Sequence, residues 1–507
     1  MIEQIETDDA TDLRLIEALK TVIPLALKVS GEPGLSLAIG RRGRPIWKAA
    51  YGYADLGRRE AMTPDHVFKV GSMSKPYVAT ALMQQVEAGR VSLEEQADAY
   101  LPFKVENPLG ARPILVRDLL THQSGLCLGD AGQSRVETPR PLEAALRDAY
   151  GRERQPAYEG TRSPIWSAKV GEVWQYSNLG AATLGLIVEK TNAEGLSISD
   201  YVQRRIMDPL GMTGAQFPGV QDAAHVRPEL WGRLASGYAR MGGAYLPTPT
   251  VQIEAFPAGS AMMTPVDHLR FILAFMGGGE LDGARILTEP TVAQMLTPQC
   301  EGSPPDYKQG LIWWLKDRGL PSEEFSHGGA YMFGWVNLGA AFPKLDAALV
   351  ISANQWPLPG GAVSRELIQR FMIEWLWLEA RNGVPPTEAD WAWRASYVMG
   401  LVMVDSLQGA LGMTTRMTPE QVRAMAEAAI FDPAAPGSAL GWNPEGFIAA
   451  VEDLRGVRIT AEGIDGFRTS GRMQVSPADA RAVHRALGGA GEPSLFRFLE
   501  PAAAVQI

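Results

Sequence analysis

Ser72 and Lys75 stand three positions apart in "FKVGSMSKPYVATALMQQVEAGRVSLEE", residues 68–95. On a helix, positions i and i+3 share a face about 5–6 Å apart, so the lysine amine can reach the serine hydroxyl. A hydroxyl with a base beside it is a candidate nucleophile for acyl transfer. Lysine is a poor base at its ordinary pKa of about 10.4, but burial and the positive end of a helix dipole both lower that value. The same dipole favours negative charge on the attacking oxygen and on the carbonyl oxygen. Pro76 fits the first helical turn, where its missing N–H costs little. The bland alternative is that Ser72 or Ser74 only caps the helix, and these four residues alone leave both readings open. Other chemistries find no foothold: G-x-S-x-G, a Walker loop, G-x-G-x-x-G, H-E-x-x-H and C-x-x-C are all missing from the chain.

The elements around the pair read as α+β. Residues 12–28 carry apolar positions at helical spacing, and "GLSLAIGRRGRPIWKAAYGYADL" (34–56) alternates into two strands around a Gly-containing turn. Helical patterns follow at 72–89 and 115–121, and a helix near 265–276 stops at "GGG" (277–279). "FSHGGAYMFGWVNLGAAFPKLDAALVISANQ" (325–355) reads as strands joined by a turn at Pro343–Asp346, followed by the apolar helix 365–380. A hairpin at the start, strands near the end and helices between them indicate segregated elements, not alternating βα units. Residues 126–173, rich in Gly, Pro, Arg and Ser, read as a cover or insertion with a short helix near 141–149.

The chain has 507 residues, 46% of them hydrophobic, and a net charge of −10, with 47 basic against 57 acidic side chains. That balance argues against a nucleic-acid surface, which must neutralise phosphates with clustered Lys and Arg. The acidic start of the chain lacks the basic and apolar regions of a signal peptide. The longest apolar run, 397–413, is interrupted by Asp405 and falls short of a span. No membrane or nucleic-acid partner is expected, and the location expected is cytoplasmic. Cys127 and Cys300 show no disulfide framework and read as reduced thiols. No cofactor and no metal is called for.

Four blocks, taken in order, resemble the serine β-lactamase and penicillin-binding-protein superfamily, nearest to its class C β-lactamase, D-aminopeptidase and esterase branch. They are "FKVGSMSKPYVATALMQQVEAGRVSLEEQADAYLP", "VRDLLTHQSGL" (116–126), "GEVWQYSNLGAATLGLIVE" (171–189) and "FSHGGAYMFGW" (325–335). The resemblance runs from about Gly34 to Leu378. It implies a β-lactamase-like fold: an antiparallel sheet flanked by helices, with an all-helical subdomain. It implies Ser72 as the acylated nucleophile, Lys75 as its base and Tyr176 as the proton shuttle. Asn178 would hold the lysine and the substrate carbonyl, and the backbone N–H groups of Ser72 and Ala330 would form the oxyanion hole. His327-Gly328-Gly329 takes the place of the usual Lys-Thr/Ser-Gly. A neutral histidine there weakens the anchor for a substrate carboxylate, which points toward esterases and D-amino-acid peptidases.

The expected activity is hydrolysis of an amide, peptide or ester through a Ser72 acyl-enzyme, leaning to short linear peptides, D-residues included. Carboxylesterase, acyltransferase and β-lactamase action are the alternatives. A silent binding or sensor module of the same fold would be expected to lose Ser72, Lys75 or Tyr176, and all three are present. His122 reads as structural. His66, His225, His268 and His484 have no metal spacing and read as surface or capping residues. Trp313, Trp314 and Trp335 are candidates for an acyl-pocket wall. The expected domains are 1–380 for catalysis, a linker at 381–390 and a mostly helical domain at 391–507, the last announced by three cap-then-proline signatures. A homo-oligomer is compatible with all of this.

Overall fold

Alternation in "GLSLAIG" and "PIWKAAYGYAD" builds a long hairpin of two strands, β2 (Gly34–Arg41) and β3 (Arg44–Asp55), after the short strand β1 (Ile2–Ile5). Arg42 and Gly43 both take positive φ, 52° and 71°, as a two-residue hairpin turn requires. The hairpin belongs to a ten-stranded antiparallel sheet. Its other members are β4 (Glu60–Ala61), β5 (Cys300–Glu301), β6 (Tyr307–Gln309), β7 (Trp314–Asp317), β8 (Glu323–Tyr331), β9 (Trp335–Phe342) and β10 (Ala347–Ala353). The order is β1-β3-β2-β10-β9-β8-β7-β6-β5, with β4 attached to β3. The hairpin and the later strands therefore meet in the middle of one sheet, where β10 pairs with β2.

The computed structural model describes residues 1–384 apart from 111, 127–134, 137–139, 152–164, 242–243, 249–251, 303–306, 318–322, 332–333 and 356–362. The expected linker beyond Val384 and the expected domain at 391–507 lie outside them. Within the described part, Met1–Thr7 and Pro33–Leu358 form one compact unit.

Strands β2 and β10 are buried along their whole length, and apolar residues occupy both of their faces. Three helices matter to this unit: α2 (Lys75–Glu87), α3 (Asn178–Thr191) and α4 (Pro265–Met276). Helix α4 starts at Thr264, whose hydroxyl accepts the Asp267 N–H, and lies across β2, β9 and β10. Gly339 permits that approach, since a Cβ there would fall 2.5 Å from His268 Nε2. Helices α2 and α3 pack together in the same apolar cluster, through residues such as Val78, Leu82, Leu184 and Ile187. The α+β expectation of an antiparallel sheet with flanking helices holds.

The opening helix (Ala10–Ser30) and the helix Val363–Asn382 form a unit of their own, packed on each other. The Asp9 side chain caps the first by accepting from Thr11 and Asp12 N–H, and Gly31 closes it at φ 66°. Ser364 Oγ hydrogen-bonds Glu32 inside this unit.

Candidate active site

Phe68–Lys69 pairs with Met262–Met263 and delivers the chain into a tight turn, Gly71–Ser74, immediately before α2. Gly71 sits at φ 56°, and a side chain there would meet the Ala330 carbonyl oxygen at 2.4 Å. Only glycine combines that conformation with that approach. The Ser74 side chain does not cap α2. Its buried hydroxyl donates to Gly71 O at 2.7 Å and accepts the Ala261 N–H at 2.9 Å, tying the turn to the neighbouring strand.

Lys75 opens α2 and is fully buried. Its Nζ lies 2.9 Å from Ser72 Oγ, 2.7 Å from Asn178 Oδ1 and 2.8 Å from Ala258 O. Burial pushes its pKa well below the ordinary lysine value. A neutral amine has two N–H groups and one lone pair. Asn178 Oδ1 and Ala258 O can only accept, so both N–H groups are committed and the lone pair is left for the Ser72 hydroxyl. That is the arrangement of a base about to take a proton. Ala258 has no sequence signal, because a backbone carbonyl can come from any residue type.

Tyr176, Ser177 and Asn178 are held by a helix start. Ser177 is the N-cap of α3, its hydroxyl accepting the Gly180 N–H at 3.0 Å, and Asn178 is the first helical residue. The cap thereby fixes the direction of the Asn178 amide toward Lys75. Lys75 Nζ lies 4.7 Å from the centre of the Tyr176 ring. The Tyr176 hydroxyl is buried and forms no hydrogen bond among the described residues. Burial raises its pKa, and Ser72 acts in the opposite direction.

Strand β8 brings His327, Gly328, Gly329 and Ala330 to the other side of the turn. A Cβ on Gly329 would stand 1.9 Å from Val70 O and 2.9 Å from Met73 N. The strand thus lies backbone to backbone against the Gly71–Ser74 turn. Asn337 on β9 stitches the two, donating to Lys69 O at 3.1 Å and to Gly329 O at 3.4 Å. Ala330 is exposed beside Gly71. His327 is buried, its Nδ1 is 2.7 Å from Gly328 O, and its ring stacks on Trp314 at 4.5 Å. Burial, with Lys75 second, depresses its basicity, so it is neutral.

All eight residues singled out from the sequence therefore converge, and some of their surroundings went unread. His122 is buried at φ 56°, accepts the Ser177 N–H at Nδ1 (3.3 Å) and packs 4.7 Å from the Tyr176 ring. Burial brings its pKa down to about 3, so it is a neutral scaffold for the Tyr176 turn. His66 supports a turn by accepting the Thr63 N–H, and His225 pairs with Asp222 at the surface. His268 departs from the surface reading: it is fully buried, 2.8 Å from the Tyr77 hydroxyl. His484 lies outside the described residues. Of the tryptophans, Trp313 is core, packed on Phe271, Phe275 and Phe325, and Trp335 is buried with its Nε1 donating to Ala235 O. Trp314 alone of the three stands partly exposed beside the site. In the cover segment, the short helix forms at Leu142–Gly151 and Arg135–Val136 pairs with Gln252–Ile253.

Lys69 is a second buried lysine. Its Nζ has no hydrogen-bond acceptor among the described residues and lies 4.8 Å from the Tyr331 ring centre. Burial lowers its pKa to about 7, with Asp222 opposing. Between pH 7 and 10.5 the unfolded chain holds a proton here that the folded chain does not, so stability rises with pH across that window. From pH 7 to 9, wild type should gain about 2 kcal/mol more unfolding free energy than Lys69→Met. Urea titrations at the two pH values check this, and parallel behaviour would refute it.

Among the described residues, no group of three or more His, Cys, Asp or Glu could hold a metal, and no helix is long and apolar enough to cross a membrane. The sequence model of the Beta-lactamase family matches residues 21–371. Penicillin-binding protein 4 of Amycolatopsis lactamdurans is 30% identical over 271 residues, which are 52% of this chain and 65% of that protein. The chain thus spans just under two thirds of that relative's length. The structure is similar to that of D-amino acid amidase from Ochrobactrum anthropi SV3 in complex with L-phenylalanine, with TM-score 0.57 and 25% identity over 73% of this chain and 99% of that one. It also shares its fold with the octameric penicillin-binding protein homologue from Pyrococcus abyssi, with TM-score 0.58 and 23% identity over 74% and 78% of the two chains.

Proposed function

This chain belongs to the Beta-lactamase family, and we propose that within it the protein is a hydrolase of amide or peptide bonds working through a Ser72 acyl-enzyme. One observation carries the reading: Lys75 Nζ lies 2.9 Å from Ser72 Oγ while two groups that can only accept, Asn178 Oδ1 and Ala258 O, lie at 2.7 and 2.8 Å, so a neutral amine would turn its lone pair to Ser72.

Ser72 Oγ passes its proton to Lys75 Nζ and forms a bond to the substrate carbonyl carbon, whose π electrons move to the oxygen. The N–H groups of Ser72 and Ala330 receive that oxyanion. The intermediate collapses, the bond to the leaving nitrogen breaks, and the Lys75 proton reaches that nitrogen through the Tyr176 hydroxyl. Water then adds to the acyl carbon, giving up its proton along the same route, and the Ser72 oxygen leaves as the restored hydroxyl. Asn178 holds the lysine throughout. Hydrolysis of simple esters would follow the same path with an easier leaving group, and carboxylesterase action is the second reading. Neutral His327 supplies no cation for a carboxylate, which speaks against carboxylate-bearing β-lactams.

Incubation of the full chain with a fluorophosphonate is expected to add one phosphonyl adduct on Ser72, read by peptide mass mapping, and none to Ser72→Ala. An unlabelled wild type would sink the proposal.

A further inference from the structure

His327 holds an acceptor with nothing to accept. Gly328 O can only accept, so the contact of 2.7 Å requires the proton on His327 Nδ1. Nε2 therefore carries the lone pair. That atom is buried and has no hydrogen-bond partner among the described residues. An unmatched buried acceptor is costly, and in a native site it calls for an explanation.

The ring is not free to turn away. Trp314 stacks on it at 4.5 Å with only 16° between the planes, and its Nδ1–H is pinned. On another side stands Tyr176, with ring centres 6.4 Å apart. Burial acts against protonation of this imidazole. Lys75 has both N–H groups committed elsewhere, so it does not fill the vacancy.

We propose that His327 Nε2 accepts a hydrogen bond from an N–H group on the leaving-group half of the substrate, so that the site favours leaving groups that continue as an amide over those that end in a free carboxylate. The half follows from Tyr176: the residue that hands the proton to the departing nitrogen is the one beside His327. A carboxylate at that place would set its negative charge and its lone pairs against the lone pair of Nε2, with no donor to receive it. An N–H, by contrast, completes the acceptor. The substrate class is then an internal peptide bond or a C-terminally amidated peptide, in place of a free dipeptide or a β-lactam acid. This inference rests on the acyl-enzyme reading above.

The experiment compares kcat/KM for phenylalanyl-glycinamide and phenylalanyl-glycine, in both configurations at phenylalanine, with the full chain. Wild type is expected to favour the amide by about 10- to 100-fold. His327→Gln, which keeps an acceptor near the Nε2 position, should retain that preference. His327→Lys should reduce it at least tenfold by giving the carboxylate a cation. If the lysine variant does not fold, the wild-type ratio and the glutamine variant decide. Equal treatment of the two peptides by wild type would overturn the proposal, as would equal loss on both substrates in His327→Lys, the mark of a proton relay. A wild type labelled by fluorophosphonate that makes no distinction between the peptides would remove this inference alone. An unlabelled wild type would remove the acyl-enzyme reading itself.

Discussion

Replacing Lys75 with methionine should lower the rate of Ser72 acylation by about 10²–10⁴-fold, the span that general acid–base catalysis ordinarily supplies. Methionine nearly conserves the volume, so the packing of the fully buried side chain changes little. What disappears is the lone pair at 2.9 Å from Ser72 Oγ. The pH dependence of the wild type gives the same group a second signature. Acylation needs the neutral amine, and burial holds the Lys75 pKa well below its ordinary value. Activity should therefore persist far below pH 10.5 and fall only as pH drops through the depressed value. Stopped-flow labelling of wild type and Lys75→Met across pH checks both points. A methionine variant that acylates at the wild-type rate would remove Lys75 from its role.

Gly329→Ala should be as damaging, for steric reasons. Its Cβ would lie 1.9 Å from Val70 O and 2.9 Å from Met73 N, and both obstacles are backbone. Strand β8 would have to retreat from the nucleophile's turn. A displacement of about 1 Å in such a site can cost 10²-fold in rate, and the strained variant should also melt at a lower temperature. Gly328→Ala is the internal control. Its Cβ meets the edge of the Trp314 ring at 3.2 Å, a side chain that can give way. Measuring kcat/KM and Tm for both variants separates the two glycines. Equal, mild effects would mean that the close approach is unimportant to catalysis.

The candidate site was readable where the proposed chemistry depends on side chains of fixed type at short spacing. Ser72 and Lys75, Tyr176 and Asn178, and His327 with its glycines each occupy one turn or one strand segment, and the order of the blocks linked them. The strands of the central hairpin were readable too, because their residues alternate on either side of a Gly-containing turn. Other features depend on atoms that any residue can supply, or on tertiary neighbours. Ala258 O leaves no trace in a one-letter code. The tie made by Ser74 needs Ala261, which arrives through a different strand. The burial of Lys69 under Tyr331 is set by packing between segments far apart in the chain. Propensity and periodicity are local quantities and do not report such contacts.

The seam between Gly71 and Ala330 also bears on when the proposed site is complete. Ser72 lies early in the compact unit Pro33–Leu358 and its facing strand lies near the end, so ribosomes make the two far apart in time. An incomplete chain that stops before residue 323 carries Ser72 and Lys75 but not the strand that abuts their turn. Under the proposed mechanism, unfinished or clipped copies would lack the Ala330 side of the site, and acylation of Ser72 is expected only after the sheet closes.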